Sequence, residues 1–345
     1  MPEVRVHFGT PKTGTTALQV ALANSRLTLR ERGVYYPDLS ALMTGTSSTN
    51  HNALARVLTD PDWEQEPAIE ILRAAMAANL ADGLDVVLSA ESLYNRSADD
   101  IVISPRLFSG DYWSDRERYL RRLAKFLEPL DVPVTLVAAI RPQDEFAEAS
   151  YSELSKSFRS GASGEVRLYR EDLIRYCEVQ QPLWDYDRQF ELMGELLAEP
   201  VVVRYGSQAI AETTEALGIP SDAYSVPPRV NTTADARLVL WLTHFPFGTR
   251  EQRQAFGHSD QARECLEDFG STTLWPDDAT RTEFLAQFST ARYGGDFFSK
   301  ETRKATPARL TSEDAVRLAG AFFAWLEDSA GARAQGFKPP WESST

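Results

Sequence analysis

Cysteine, histidine and long apolar runs are scarce in this 345-residue sequence. It contains two cysteines, Cys177 and Cys265, and four histidines, and neither type recurs at metal-ligand spacing. This scarcity argues against a disulfide framework and against a metal site, and it favours a reducing compartment. No apolar run approaches the roughly 18 residues of a membrane span, and a first strand from about residue 4 leaves no room for a signal peptide. We therefore expect a cytoplasmic protein with no integral membrane segment.

Positive charge is also in short supply, because 36 lysines and arginines face 50 acidic residues for a net charge of −14. A general nucleic-acid binder needs an extended basic surface, so we expect no nucleic-acid partner. A hydrophobic content of 43% is ordinary for a globular chain. Any site for a polyanion must then be a local basic pocket that acts against the overall field.

The most informative stretch is residues 4–16, which read V-R-V-H-F-G-T-P-K-T-G-T-T. A short apolar strand leads into a loop punctuated by glycine and proline, and a helix then begins at two threonines. A helix N-terminus that follows such a loop presents unpaired backbone N–H groups and the positive end of the helix dipole. The stretch therefore predicts a site for an anion such as a phosphate.

The position of the lysine decides which phosphate loop this is. A P-loop nucleotidase has a lysine directly after its second glycine, whereas here Thr15 follows Gly14 and the lysine, Lys12, lies inside the loop. The run Pro11-Lys12-Thr13-Gly14-Thr15-Thr16 resembles the 5′-phosphosulfate loop of sulfotransferases that use 3′-phosphoadenosine 5′-phosphosulfate (PAPS). The alternative is an ordinary strand–helix turn with an exposed lysine.

The rest of the first 220 residues alternates strands with helices. Apolar runs predict strands at 85–89, 134–140 and 200–205, with a short extended piece at 33–37. This alternation indicates an α/β fold with a parallel sheet of about four to five strands flanked by helices. We assign 1–220 to this core and 221–345 to a helical C-terminal part without strands, packed on the core within the same domain.

Glu91, Arg141 and Tyr205 also follow predicted strand ends, where ligands bind in such sheets. In the sulfotransferases that the chain resembles, the strand matching 134–140 ends in an arginine, and a serine about eight residues later joins it in holding the 3′-phosphate. The resemblance assigns these roles to Arg141 and Ser150, although the spacing here is nine. It makes Tyr205 a neighbour of the adenine. The alternatives are an ion pair of Arg141 with Asp144 or Glu145, and simple core packing for Tyr205.

Sulfo transfer to a hydroxyl requires a general base. Glu91 follows the strand 85–89 in a Ser-Ala-Glu-Ser context, and His51 follows a polar loop. Relatives use either residue type, and we favour Glu91 over His51; the alternative for both is a structural hydrogen bond.

The resemblance implies a bacterial-type sulfotransferase that moves a sulfo group from PAPS to an acceptor hydroxyl and releases adenosine 3′,5′-bisphosphate. Lys12 would stabilise the charge on the departing phosphate oxygen, with no metal. The acceptor would be a carbohydrate, a lipid or a small natural product, which the sequence does not identify further. Two alternatives stay open: a P-loop kinase-like phosphotransferase, and an inactive relative that binds a nucleotide or a protein partner.

Overall fold

A five-stranded parallel sheet is the centre of this chain in the computed structural model, which describes residues 1–10, 14–41, 49–96, 111–157, 173–225, 235–244, 250–257, 259–266, 272–294, 297–298 and 306–327. The strands are β1 (Val4–Gly9), β2 (Val34–Tyr35), β3 (Asp85–Ser89), β4 (Val134–Ile140) and β5 (Val201–Arg204). They lie in the order β2-β3-β1-β4-β5, and every pair is parallel. The predicted α/β class and strand number are confirmed.

The two predicted strands with the most continuous apolar runs form as expected. β3 reads DVVLS and β4 reads VTLVAAI, and the last five residues of β4 are buried. Such runs suit a parallel sheet that is covered on both faces. β1 lies between them, with Val6 in register with Leu88 of β3 and with Leu136 of β4.

The chain divides into two compact units that interleave along the sequence. The first comprises Met1–Phe146, Val179–Asn231 and Phe288–Phe298, and the second comprises Ala147–Glu178, Thr232–Gln287 and Ser299–Thr345. The assignment of 1–220 and 221–345 to a core and a helical part stays a prediction.

Helices of the first unit flank the sheet, in agreement with the predicted architecture. They are α1 (Thr15–Asn24), α2 (Arg26–Glu31), α3 (Asn52–Val57), α4 (Pro67–Ala81), α5 (Tyr112–Leu127) and the start of α6 (Gln143–Ser157). The first unit also contains α8 (Gln181–Trp184), α9 (Tyr186–Leu196) and α10 (Ala209–Ala216), whereas α7 (Leu173–Val179) lies in the second unit except for its last residue. Short 3-10 turns lie at Leu39–Ala41, Trp63–Gln65, Glu91–Leu93 and Glu128–Leu130.

Apolar side chains of these helices pack against the sheet. A buried cluster joins Leu18 and Leu22 of α1 to Val137 of β4 and Val203 of β5. A second set of rings includes Phe8 of β1 and Phe190 of α9, whose centroids are 6.5 Å apart. Burial of this kind is the main favourable term that holds a sheet and its helices together.

The second unit is mostly helical in the described residues. It contains α11 (Ala236–His244), α12 (Arg250–Gly257), α13 (Asp260–Glu264), α14 (Asp278–Ala286) and α15 (Ser312–Glu327). The expectation that no strand follows residue 220 is wrong, because β6 (Thr272–Thr273) and β7 (Thr306–Pro307) form a short parallel pair. Two residues are too few to give an alternating pattern in the sequence.

Candidate functional site

The connection between β1 and α1 begins and ends at glycines that the backbone requires. A Cβ on Gly9 would lie 2.3 Å from the carbonyl oxygen of Ala139 in the neighbouring strand. The same carbonyl accepts a 2.9 Å hydrogen bond from the backbone of Thr10. Gly14 has a φ of +84°, in the left-handed region that favours glycine. Close approach at one end and a left-handed turn at the other are the features expected of a loop that wraps an anion.

The middle of this connection, Pro11, Lys12 and Thr13, lies outside the described residues. Its end is described. Gly14 is the N-cap residue of α1 and makes no side-chain cap, Thr15 is 3% exposed, and Thr16 is exposed. No acidic residue lies in the first turn of α1. The N-terminus of α1 therefore lies after the carboxyl end of β1 and carries no acidic side chain of its own, as an anion site requires.

The structure joins two of the predicted residues directly. The hydroxyl of Thr15 donates a 2.7 Å hydrogen bond to Oε2 of Glu91, which lies on the 3-10 turn after β3. β1 and β3 are neighbours, so the segments that follow their carboxyl ends meet at one edge of the sheet. The candidate base and the end of the candidate phosphate loop thus lie within hydrogen-bond distance of each other.

Buried polar side chains fix the end of β3, just before Glu91. Nε2 of Gln19 donates to Oγ of Ser89 at 3.1 Å, and Nδ1 of His7 is 2.8 Å from the same hydroxyl. The backbone N–H of Ala90 donates to the carbonyl of His7 at 2.9 Å. Sequence analysis did not single out Gln19 or Ser89. The available signal was that each is a polar residue within or at the end of an apolar run, A-L-Q-V-A-L and D-V-V-L-S.

His51 belongs to this buried support. Its Nδ1 accepts from the backbone N–H of Ser89 at 2.7 Å, so the proton sits on Nε2, which donates to the carbonyl of Pro37 at 3.0 Å. The ring is 1% exposed, and burial lowers the pKa of His51 to about 4. Both ring nitrogens are therefore engaged with backbone atoms, and the imidazole is neutral near pH 7.

Arg141 lies directly after β4 and is 5% exposed. Its Nη2 donates to Oε2 of Glu145 at 3.1 Å, and its guanidinium carbon lies 4.4 Å from the ring centroid of Tyr205. The hydroxyl of Tyr186 donates to its carbonyl at 2.7 Å. The structure brings Arg141 and Tyr205 together as the strand ends predicted, and it shows the ion pair that was the alternative for Arg141.

Ser150 lies on α6, in the part of that helix that belongs to the second unit. Its side chain hydrogen-bonds the hydroxyl of Tyr176, whose pKa burial raises. Its predicted role toward a 3′-phosphate stays a prediction.

The described residues also bear on the predictions about metal sites and membrane-spanning segments. Within the ranges given above, no group of three or more histidine, cysteine, aspartate or glutamate side chains is placed to hold a metal ion. Among the helices in the described part of the chain, none has the length and apolar character needed to cross a membrane.

Comparison with known proteins gives two solved structures. No family model matches the chain, and no curated protein does. The chain is similar to a sulfotransferase from Alicyclobacillus acidocaldarius, with 16% identity, a TM-score of 0.32, and coverage of 75% of this chain and 97% of that one. It is also similar to the sulfotransferase domain of the curacin biosynthetic pathway, with 13% identity, a TM-score of 0.29, and coverage of 93% and 97%. Both of these solved structures are sulfotransferases.

Proposed function

We propose that this protein is a cytoplasmic sulfotransferase that moves a sulfo group from PAPS to the hydroxyl of a carbohydrate, a lipid or a small natural product. The observation that carries the proposal is the Pro11–Thr16 run, which follows β1 in the sequence and ends in the first turn of α1, together with Glu91 and Arg141, which follow the strands on either side of β1. Glycine at the two described ends of the loop, with a Cβ clash at one and a positive φ at the other, supports a phosphate-binding backbone.

The residues present fit such a donor. The 5′ end would be held by Pro11, Lys12, Thr13, Gly14, Thr15 and Thr16. The 3′-phosphate would be held by Arg141, a buried guanidinium that gains from a second anionic partner, together with Ser150. The adenine would lie near Tyr205, which is 39% exposed and so has a face available beyond its contact with Arg141.

When bound, PAPS supplies an activated sulfo group whose leaving group is adenosine 3′,5′-bisphosphate. Lys12 would stabilise the negative charge that develops on the departing oxygen, because a cation near that oxygen lowers the energy of the transition state. Glu91 takes the proton of the acceptor hydroxyl. We prefer Glu91 to His51 because both nitrogens of His51 are engaged with backbone atoms, whereas the Glu91 carboxylate is only partly buried.

The first test compares Lys12→Ala with Lys125→Ala in a sulfate-transfer assay with PAPS and a library of hydroxyl acceptors. Lys125 lies on α5 and forms an exposed ion pair with Glu64, so Lys125→Ala controls for the removal of a lysine charge. We expect Lys12→Ala to abolish transfer while the fold, followed by circular dichroism, is kept. Turnover of Lys12→Ala equal to that of the wild type would refute the assigned role of Lys12.

Isothermal titration with adenosine 3′,5′-bisphosphate, adenosine 5′-phosphate and ATP separates the alternatives. Preference for the 3′,5′-bisphosphate with transfer from PAPS supports the proposal. Preference for ATP with magnesium-dependent phosphate transfer would indicate a kinase-like enzyme instead. Binding of the bisphosphate without transfer to any acceptor in the library would indicate an inactive relative.

A further inference from the structure

Asn52 has a side-chain amide whose orientation is fixed by a neighbouring turn. It is the first residue of α3, which packs against the 3-10 turn Glu91–Leu93. Its Oδ1 accepts from the backbone N–H of Ser92 at 3.3 Å and from the hydroxyl of Ser92 at 2.8 Å. A backbone N–H can only donate, so the amide atom that faces it is the oxygen. The amide nitrogen of Asn52 therefore keeps both of its hydrogens for other partners.

The protein itself does not use these two hydrogens. Within the described ranges, the amide nitrogen of Asn52 has no hydrogen-bond acceptor, and the residue is half-buried. The backbone N–H of Asn52 is engaged separately, since it donates to Oδ1 of Asn50 at 3.1 Å. A polar side chain that is held at one atom and has spare donors at the next is the kind of group that orients a ligand in a binding site.

Hydrogen bonds place this amide beside the residue that carries the candidate base. The N–H of His51 donates to the carbonyl of Ser89 at 2.9 Å, and the N–H of Ser89 donates to Nδ1 of His51 at 2.7 Å. Next along the chain, Asn52 contacts Ser92, whose backbone nitrogen is covalently bonded to the carbonyl carbon of Glu91. Glu91 and Ser92 are half-buried, as Asn52 is. Three partly accessible polar residues therefore lie together after the carboxyl end of β3.

We infer that Asn52 is a residue that binds the acceptor substrate, by donating a hydrogen bond to an oxygen atom next to the reacting hydroxyl. The inference rests on the proposed function, in which Glu91 takes the proton of that hydroxyl. An amide beside the base lies close to the atoms that flank the reacting group, and its N–H groups favour an oxygen over a CH₂ group there. Carbohydrates carry such an oxygen, in the ring or on the neighbouring carbon, whereas simple alcohols do not. Of the acceptor classes in the proposed function, the amide favours carbohydrates.

The experiment compares acceptor substrates that differ by one oxygen. The pairs are tetrahydropyran-3-ol with cyclohexanol and trans-2-methoxycyclohexanol with trans-2-ethylcyclohexanol, and kcat/KM is measured for sulfo transfer from PAPS. In each pair, CH₂ replaces an ether oxygen, which can only accept a hydrogen bond. We expect the wild type to prefer the oxygen-containing member of at least one pair by roughly 2–10-fold, the range of one neutral hydrogen bond.

The variant Asn52→Asp separates substrate binding from structural support. Its carboxylate still accepts from both groups of Ser92, but an ionised carboxylate has no hydrogen to donate. We expect the preference for the oxygen-containing substrate to disappear, while the added charge acts on both members of a pair and cancels in their ratio. The matched control is Asn50→Asp, which still accepts from the backbone of Asn52 and adds the same charge two residues away. Asn50→Asp should keep the preference of the wild type.

Equal kcat/KM within both pairs for the wild type would overturn the inference. So would a preference that survives in Asn52→Asp, or one that Asn50→Asp loses to the same extent, because the donor amide would not be its cause. If Asn52→Asp does not fold, Asn52→Leu replaces it, since leucine is of similar size and has no donor.

If the enzyme sulfates only larger acceptors of the library, the same criterion applies to them: preference for those without an oxygen next to the reacting hydroxyl overturns the inference. Absence of transfer to every acceptor is a different outcome. It counts against the proposed function itself and removes the inference with it.

Discussion

The two flanks of the sheet's carboxyl edge hold their charged side chains in different ways. On the base flank, after β1 and β3, the Glu91 carboxylate accepts a hydrogen bond from the neutral hydroxyl of Thr15. On the arginine flank, after β4 and β5, Arg141 is paired with the carboxylate of Glu145 and stacked on Tyr205. A ligand that approaches the base flank meets a carboxylate that a hydroxyl group holds, whereas one that approaches Arg141 competes with a counter-ion. The same edge therefore offers one flank whose carboxylate is held by a hydroxyl group and one whose cation is already paired with a carboxylate.

The strongest way to test the base flank is to remove its basicity while keeping its shape. In Glu91→Gln the amide oxygen still accepts from Thr15, but the side chain no longer takes a proton. We expect turnover to fall by about 10²–10⁴-fold, as for loss of a general base, with affinity for adenosine 3′,5′-bisphosphate nearly unchanged. The comparison is His51→Asn, in which turnover per folded molecule should stay close to that of the wild type. A slow His51→Asn beside a normal Glu91→Gln would transfer the role to the histidine.

Lowering the pH tests the two buried histidines, His7 and His51, that hold the end of β3 on the base flank. His7 and His51 have pKa values lowered to about 4 in the folded protein, against 6.5 in the unfolded chain, because both are buried. The unfolded chain binds more protons between these values, so stability is full above pH 6.5 and is lost as the pH falls toward 4. The loss is roughly 3 kcal/mol for each histidine over that range.

Urea unfolding at several pH values between 4.5 and 7 measures this loss. His51→Asn removes one of the two groups, so its stability should depend less steeply on pH than that of the wild type. An unchanged slope would show that His51 is accessible to protons in the folded protein.

The arginine flank is tested by comparing nucleotides. Arg141→Ala should weaken binding of adenosine 3′,5′-bisphosphate by roughly 1.5–3 kcal/mol, the usual value of a charge-assisted hydrogen bond, and should change binding of adenosine 5′-phosphate much less. Isothermal titration of both ligands measures the difference. Equal losses for the two nucleotides would place the 3′ site elsewhere and leave Arg141 with its ion pair as a structural element.

The matched variant on this flank is Glu145→Gln, for which a smaller effect of opposite sign is expected. Removal of the counter-ion frees Arg141 from competition, so the 3′,5′-bisphosphate should bind more tightly by up to about 1 kcal/mol, in the range of partly exposed ion pairs. Weaker binding in Glu145→Gln would show that Glu145 holds Arg141 in place for the ligand instead of competing with it.

The sequence predicted the strands that form this edge of the sheet better than it predicted the side-chain contacts between them. The bounds of β3 and β4 could be predicted because a short, continuous apolar run in a chain of this composition usually forms a buried strand. Apolar residues continue at helical spacing from Thr15 to Leu29, yet two helices form there and meet at Ser25, since apolar spacing alone does not show where one helix ends and the next begins. Similarly, α12 ends at Gly257 and the side chain of Ser259 caps α13, although the sequence was predicted only to be helical in this part.

The side-chain contacts could not be predicted from the residues that neighbour them in the sequence. The bond between Thr15 and Glu91 spans 76 residues and depends on the register of β1 against β3. The partners of His51 are a backbone N–H and a backbone carbonyl, and any residue type at those positions supplies them. A histidine after a polar loop therefore looks the same in the sequence whether it is buried or lines a pocket.

The absence of a side chain at Gly9 sets a length scale for ligands. With no Cβ there, β1 keeps its hydrogen-bonded spacing from β4 up to the last residue, including the bond from Thr10 to Ala139. β1 separates β3 from β4, so those two strands run two strand spacings apart, or about 9–10 Å across the sheet. Because Ser89 is in register with His7 and Ala139 with Gly9, β4 also extends further than β3 in the strand direction. A single ligand that contacts the residues after both strands therefore has to cross the end of β1, where Gly9 leaves the backbone uncovered by a side chain.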